Sequence, residues 1–147
     1  MNIYFSCSIT GGRNDQPIYA AIVEYLLANG HTVPTAHLAR PDVMADEAAV
    51  LPEEVYDRDI AWVDECDAVV AEVSTPSHGA GYEIAYALMT GKPVLCLAKE
   101  GVKVSKMITG NGMAKMKFVR YGDEAEAVKE VGEFLKTMNN KQRDNEQ

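Results

Sequence analysis

Cysteine is scarce in this chain of 147 residues, and its three cysteines, Cys7, Cys66 and Cys96, lie far apart. An odd count with no close pair gives no disulfide framework, and neither the cysteines nor the histidines have the spacing of zinc ligands. Cys7 and Cys96 lie within apolar runs, where free thiols are usually buried. The sequence therefore predicts a domain without disulfide bonds or a metal site, and it shows no need for an organic cofactor.

Positive charge is also in short supply, since 14 lysines and arginines stand against 22 acidic residues and give a net charge of −8. Proteins that capture DNA or RNA need clustered positive charge, so a nucleic acid polymer is not expected as a partner. One small anion remains possible, because the backbone N–H groups at the start of a helix can hold a phosphate.

Long apolar segments are missing as well. No stretch approaches the length needed to cross a bilayer, so no membrane partner is expected. The chain starts with a strand-like run and lacks the basic start and apolar stretch of a signal peptide. Together with the free thiols, these absences predict a cytoplasmic protein.

Short apolar runs alternate with amphipathic segments along the chain. Strands that alternate with helices are typical of a parallel sheet covered on both faces. We therefore expect an α/β fold, namely a single Rossmann-like (flavodoxin-like) three-layer domain over residues 1–138 with a five-stranded parallel sheet, and a polar C-terminal tail over residues 139–147. The predicted strands are Asn2–Cys7, His31–Pro34, Ala68–Val73, Pro93–Ala98 and Met116–Tyr121, and the predicted helices include Gln16–Asn29, Glu53–Glu65, Gly81–Thr90 and Glu124–Met138.

Two loops of small residues follow predicted strands one and three, and both should face the crevice beyond the carboxyl ends of the strands. The first loop, Ser8–Arg13, contains Gly11 and Gly12, which let the backbone approach a ligand closely. Its pattern matches neither the dinucleotide fingerprint nor the phosphate loop of nucleoside triphosphate enzymes. The alternative is a plain turn between a strand and a helix.

The second loop leads to Glu83, which the spacing places in the first turn of the next helix. This carboxylate either complements the helix dipole or points at a ligand in the crevice. Asp59, on the helix before predicted strand three, either lies on a solvated face or points the same way. Two carboxylates at one site would permit glycosidic chemistry with retention, in which one attacks and the other helps to protonate the leaving group.

Three stretches, Tyr4–Arg13, Asp59–Trp62 and Ala68–Glu83, resemble the 2′-deoxynucleoside 5′-phosphate N-hydrolases of the nucleoside 2-deoxyribosyltransferase superfamily. The resemblance runs from about Asn2 to Tyr121. It implies an enzyme that cleaves the N-glycosidic bond of 2′-deoxynucleoside 5′-monophosphates and releases deoxyribose 5-phosphate and a free base.

The resemblance also implies roles for individual residues. Glu83 matches the nucleophile that attacks C1′ and forms a glycosyl ester, Tyr4 matches the tyrosine that orients it, and Asp59 matches the second acidic residue. Ser8, Ser77 and the loop amides match the contacts of the 5′-phosphate, and His37 matches a residue on the side of the base. The implied substrate-binding set is Ser8, Ile9, Thr10, Gly11, Gly12, Arg13, His37, Ser77, Gly79, Ser105 and Met107.

The family resemblance further implies a homodimer, because Ser105 matches a serine that reaches the phosphate of the neighbouring subunit, with Met107 close by. Thr10 stands where the family often has arginine, so one positive contact is missing. The alternatives are a deoxyribosyltransferase that exchanges bases, a hydrolase of a modified cytidine nucleotide, and a non-catalytic nucleotide-binding domain. Ser8 and Ser77 favour a phosphate-bearing substrate over simple base exchange.

Overall fold

Four apolar runs form one parallel sheet in the computed structural model, which describes residues 1–145. The sheet has the order β1-β2-β3-β4, so each strand pairs with the next one along the chain. The first three strands are almost wholly buried, as expected for a parallel sheet with both faces covered, whereas β4, at the edge, is partly exposed. Their bounds are Ile3–Ser6 for β1, Ala68–Glu72 for β2, Val94–Lys99 for β3 and Met116–Tyr121 for β4.

Helices cover the sheet on both faces and give the expected three layers. Ile3 and Phe5 of β1 face the core beneath α1 and α6, whereas Tyr4 faces the core beneath α3 and α4. This division follows from the alternation of side chains along a strand. The helices are α1 (Gln16–Ala28), α2 (Val43–Ala48), α3 (Pro52–Glu65), α4 (His78–Met89), α5 (Lys106–Thr109) and α6 (Glu124–Asn145), with a 3₁₀ turn at Ala36–Ala39.

The predicted second strand, His31–Pro34, is wrong, and the described part of the sheet has four strands instead of five. Only one parallel bridge forms here, between Asn2 and Thr32. Pro34 has no N–H to extend the ladder. The Thr35 hydroxyl instead accepts from Phe5 N at 3.0 Å and donates to Phe5 O at 2.7 Å. A side chain thus satisfies the main-chain groups that a fifth strand would have paired.

Two helix boundaries also differ from the prediction. Helix α4 begins at His78, because the Ser77 hydroxyl accepts from Ala80 N at 3.2 Å and caps it. Glu83 therefore lies in the second turn and not in the first. Helix α6 continues to Asn145 instead of ending at Met138, so it includes much of the predicted tail. Residues 146–147 of that tail lie outside the described part of the chain.

A buried carboxyl group joins the ends of three strands. Glu72, the last residue of β2, is fully buried and accepts from the Tyr121 hydroxyl at 3.0 Å and from the Ser74 hydroxyl. Burial raises the pKa of Glu72 to about 7. Ser74 Oγ also accepts from Lys99 N at 2.8 Å. Glu72 and Ser74 therefore fix the carboxyl edges of β2, β3 and β4 to one another.

The loops after β1 and β2 meet at this edge, as the sequence predicts. Thr75 Oγ1 donates to Asp15 Oδ2 at 2.8 Å. A Cβ atom added to Gly11 would lie 2.2 Å from Pro76 O and 2.8 Å from Ser8 Oγ, so only glycine fits this approach. Within residues 1–145, no helix is both long enough and apolar enough to cross a membrane.

Replacing Gly11 by alanine should lower the free energy of unfolding by about 1–3 kcal/mol, because the new methyl group would collide with Pro76 O. Gly81→Ala is the matched control, since a Cβ there meets nothing within 4 Å and alanine favours a helix. Urea unfolding of both variants checks this. Equal losses in the two variants would contradict the close contact of the loops.

Candidate functional site

The Glu83 carboxylate points inward, toward the carboxyl end of β1. Its Oε2 accepts a hydrogen bond of 2.6 Å from the Ser6 hydroxyl. Ser6 shares a face of β1 with Tyr4, because alternate residues of a strand point the same way. Ser6 is 1% exposed, so the bond lies where little water can replace it. The side chain is therefore held against the sheet and not released to solvent.

Burial raises the pKa of Glu83 to about 7. The Ser6 and Tyr4 hydroxyls act in the other direction, because they stabilise the ionised form. The negative charge of Asp59 adds to the rise, and the positive charge of Arg58 opposes it. A carboxyl group with this pKa can serve as a nucleophile, a base or an acid near neutral pH.

Tyr4 belongs partly to the core and partly to the site. Its ring packs in the core beneath α3 and α4 and is fully buried. Its hydroxyl lies near enough to Glu83 to stabilise the carboxylate, although it makes no hydrogen bond of normal geometry among residues 1–145. Burial, followed by the charges of Glu83 and Asp59, raises the pKa of Tyr4. The tyrosine therefore stays neutral and can donate its proton to a carboxylate or a ligand.

Asp59 lies on α3 with a side chain that is 14% exposed. Arg58 Nε donates to Asp59 Oδ1 at 2.8 Å. Burial raises the pKa of Asp59, although the adjacent guanidinium of Arg58 lowers it. Asp59 thus does not lie on a solvated face. The charge of Asp59 acts on both Tyr4 and Glu83, so the three side chains lie near one another.

A polar cluster adjoins Asp59 on the side of the 3₁₀ turn. Arg58 donates to both carboxylate oxygens of Glu47, each at 3.1 Å. His37 Nε2 lies 3.1 Å from Glu47 Oε1. The guanidinium of Arg58 lies 4.9 Å from the centre of the Trp62 ring, and the His37 ring meets that ring edge-on. His37 is therefore next to Asp59 and not on a surface loop.

A cavity of about 180 Å³ opens between the two loops. Ser77 contributes to its lining and also caps α4, so helix N–H groups point toward it. Gly79 joins this cavity to the carboxylate, because a Cβ there would lie 3.9 Å from Ser77 Oγ and 4.0 Å from Glu83 Oε1. The remaining lining residues are Thr10, Gly11, Pro76 and His78.

Other members of the first loop play structural parts. Arg13 donates to the carbonyls of Ser8, Leu38 and Arg40 at 3.0, 2.8 and 2.9 Å, so its guanidinium joins the loop to the 3₁₀ turn. Ile9 packs partly against the core beneath α1 and α6. The positive φ of Gly12 (133°) requires glycine, and the fully buried Ser8 hydroxyl has no partner within the described residues.

Ser105 and Met107 lie away from the carboxylates of their own chain. Ser105 Oγ accepts from Met107 N at 3.2 Å and caps α5, and the Met107 side chain is 83% exposed. Both line a broad groove of about 1280 Å³ that Ser77 borders and that Glu83 does not line. The structure therefore places these two residues in a groove that borders the phosphate cavity of the same chain at Ser77, but not against Glu83.

Four side chains of the candidate site were not identified from the sequence, namely Ser6, Glu47, Arg58 and Trp62. Strand alternation could have found Ser6, because it lies two residues after Tyr4 at the end of β1. Arg58 and Trp62 share a helix with Asp59, but helical spacing alone does not show that they meet at a site. Glu47 lies in a segment without clear periodicity, so no sequence signal marked it.

Comparisons with known proteins agree on one family. Residues 3–138 match the nucleoside 2-deoxyribosyltransferase family. A Methanosarcina mazei protein, provisionally named 2′-deoxynucleoside 5′-phosphate N-hydrolase 1, is 40% identical over 130 residues, which cover 88% of this chain and 80% of that protein. A mouse protein named 5-hydroxymethyl-dUMP N-hydrolase is 42% identical over 113 residues, which cover 74% of this chain and 65% of that protein.

Solved structures agree with the fold. A CMP N-glycosidase from Clostridium botulinum matches with a TM-score of 0.66 and 19% identity, over 89% of this chain and 99% of that one. A 2-deoxyribosyltransferase from Bacillus psychrosaccharolyticus matches with a TM-score of 0.61 and 16% identity, over 87% and 90% of the two chains. At these identities the likeness concerns the fold alone.

The burial of Glu83 should destabilise the protein when this carboxyl group is ionised. Because the pKa rises from 4.5 to about 7 on folding, the cost grows between these pH values and is complete above them. Glu83→Gln should therefore raise the free energy of unfolding by about 1–3 kcal/mol at pH 8 and by much less at pH 4. Urea unfolding at both pH values measures the difference. Glu24→Gln, on an exposed face of α1, is the control and should change little; an equal gain in it would refute the argument.

Proposed function

The chain belongs to the nucleoside 2-deoxyribosyltransferase family, and on that premise we propose that it hydrolyses the N-glycosidic bond of 2′-deoxynucleoside 5′-monophosphates. The observation that carries the proposal is the half-buried Glu83 carboxylate, held by Ser6 beside Tyr4 and Asp59 and separated by Gly79 from Ser77 of the cavity between the loops. The names of two relatives, a 2′-deoxynucleoside 5′-phosphate N-hydrolase and a 5-hydroxymethyl-dUMP N-hydrolase, support this substrate class.

The reaction proceeds in two steps. Ionised Glu83 attacks C1′ and forms a glycosyl ester, while the electron pair of the C–N bond leaves with the base. Asp59, whose pKa is raised by burial, supplies a proton to the departing base. Water then attacks C1′ and releases Glu83, and Asp59 recovers a proton from that water. The products are deoxyribose 5-phosphate and the free base.

The surroundings of Glu83 suit this substrate. The 5′-phosphate occupies the cavity at the start of α4, where the N–H groups and the Ser77 hydroxyl hold it. Ser8, which the family resemblance places at the phosphate, is fully buried and does not line this cavity. Arg13 contributes to phosphate binding only indirectly. Its guanidinium N–H groups donate to main-chain carbonyls and thereby fix the shape of the first loop. A sugar without a 2′-hydroxyl reaches the oxocarbenium-like transition state more easily, so deoxyribose is favoured.

Two chains form a homodimer in which each supplies Ser105 to the phosphate site of the other. The apolar groove lined by Met107, Ile108 and Phe118 gives a surface for that contact. Met107 is 83% exposed in the single chain.

Base exchange is the second candidate, because the same glycosyl ester could react with an acceptor base instead of water. Incubation with dGMP, deoxyguanosine or GMP separates the two functions. Free guanine should appear fastest from dGMP, without an added base, and the rate should rise as the pH passes through about 7 and Glu83 ionises. Chromatography of the released base measures this. Release only in the presence of an acceptor base would favour the transferase.

Replacing the nucleophile gives the most direct test of the mechanism. Glu83→Ala should lower the rate of guanine release by roughly 10³-fold or more, because no other group is placed to form the ester. Mass spectrometry of Glu83-containing peptides after rapid quenching should detect the deoxyribosyl phosphate adduct in the wild-type protein. Full turnover by the alanine variant would exclude the proposed nucleophile.

Shared sites predict complementation between two defective chains. Ser105→Ala should raise the KM for dGMP roughly tenfold, because one hydrogen bond to the phosphate is lost. It should leave the fold intact, with a loss of stability of about 0.5–2 kcal/mol from the missing α5 cap. Mixing this variant with Glu83→Ala should restore a low KM, since a mixed dimer contains one site with both residues. Light scattering should show dimers. No complementation, or an active monomer, would count against the shared site.

A further inference from the structure

We propose that Arg58 and Glu47 are positioning residues, which together hold Asp59 and His37 against the leaving base. This inference rests on the proposed function. It concerns the polar cluster of Arg58, Glu47, His37 and Trp62 beside Asp59, which joins three separate elements of the chain.

Arg58 makes contact in two directions at once. Its two terminal nitrogens donate to the two carboxylate oxygens of Glu47, both at 3.1 Å, and its Nε donates to Asp59 at 2.8 Å. A guanidinium is planar, so these three hydrogen bonds set the position of one carboxylate relative to the other. A lysine carries the same charge but cannot reproduce this arrangement.

Glu47 extends the arrangement to the 3₁₀ turn. It lies on α2, a helix of six residues with one buried side chain, Val43. Its Oε1 lies 3.1 Å from His37 Nε2, so the same carboxylate orients Arg58 and His37. The Glu47 side chain is 15% exposed and that of Arg58 is 25% exposed, so water competes weakly for these bonds.

Trp62 completes the support of Arg58. Its ring lies beneath the guanidinium at 4.9 Å, one turn along α3 from Arg58. Arg58 donates to both Glu47 and Asp59, so it holds these two side chains close to one another. Asp59 therefore faces the leaving base in a fixed orientation, and the His37 ring lies beside it.

A purely structural ion pair would behave differently from a positioning pair. Loss of a structural pair would disturb the whole site and slow every substrate alike. Loss of a positioning pair should slow only those substrates whose leaving group needs the proton that Asp59 supplies. A nucleotide analogue with a leaving group that departs without a proton can therefore separate the two cases.

The test compares Arg58→Lys, Glu47→Gln and Arg40→Gln on two substrates. Arg58→Lys should lower kcat for dGMP roughly 10- to 100-fold with a smaller change in KM, because Asp59 is misplaced. For 4-nitrophenyl 2-deoxyribofuranoside 5-phosphate, whose nitrophenolate leaves unprotonated, kcat should fall by about twofold or less. Glu47→Gln should show the same pattern more weakly. Arg40→Gln is the control, since it removes an exposed ion pair from the same part of the chain.

The outcomes separate this inference from the proposed function. Trp62 is the only tryptophan in the chain, so its fluorescence reports folding and the loss of the Arg58 contact independently of activity. An active wild-type protein in which Arg58→Lys slows both substrates equally would overturn the positioning role alone. A folded wild-type protein that cleaves neither substrate would overturn the proposed function, and this inference with it.

Discussion

The hydrogen bond between Ser6 and Glu83 is the interaction on which the site depends, because it retains a carboxylate in a place that disfavours its charge. Removing a carboxylate from water costs free energy that hydrogen bonds and nearby positive charge must offset. Here the Ser6 and Tyr4 hydroxyls and the charge of Arg58 compensate in part, which leaves the pKa near 7. The protonation state of Glu83 therefore remains sensitive to the charge of a ligand that binds beside it.

Glu72 shows what a buried carboxyl group does when its surroundings are complete. It shares with Glu83 a location at the carboxyl edge of the sheet and a pKa of about 7. Tyr121 and Ser74 occupy its oxygens, and no surface opens onto it, since its exposure is 0%. Glu83 instead adjoins the cavity between the loops. Access, and not pKa, distinguishes a group that can react from one that secures the fold.

The sequence predicted the parts of the fold that depend on continuous apolar burial. Four of the five predicted strands form, and α1 and α3 each lie within one residue of their predicted ranges. The strand predicted at His31–Pro34 does not form, because Pro34 lacks an N–H and the Thr35 hydroxyl binds the main-chain groups of Phe5. Neither effect changes the periodicity of the sequence. The sequence placed Glu83 in the first turn of α4, whereas it lies in the second turn, because Ser77 and not a later residue caps this helix.

For the site as well, the sequence revealed some residues, whereas others depend on contacts that form only in the folded chain. Tyr4, Asp59 and Glu83 were identified through a family resemblance, and the fold brings them together. Glu47 could not be identified, because its partner Arg58 lies on another helix and their contact depends on how the irregular segment folds back. The contribution of Ser105 to the phosphate site similarly rests on the proposed homodimer, which one chain alone does not reveal.

The hydroxyl of Thr35 has a consequence for how this protein behaves at high concentration. A strand at the border of a sheet exposes main-chain groups that can recruit a strand from another molecule and begin aggregation. Thr35 occupies both main-chain groups of Phe5, and Thr32 binds Ile3 N. The edge of β1 thus has its main-chain groups occupied although no fifth strand forms. A strand from another molecule cannot pair with these groups, so this edge does not start the growth of a fibril.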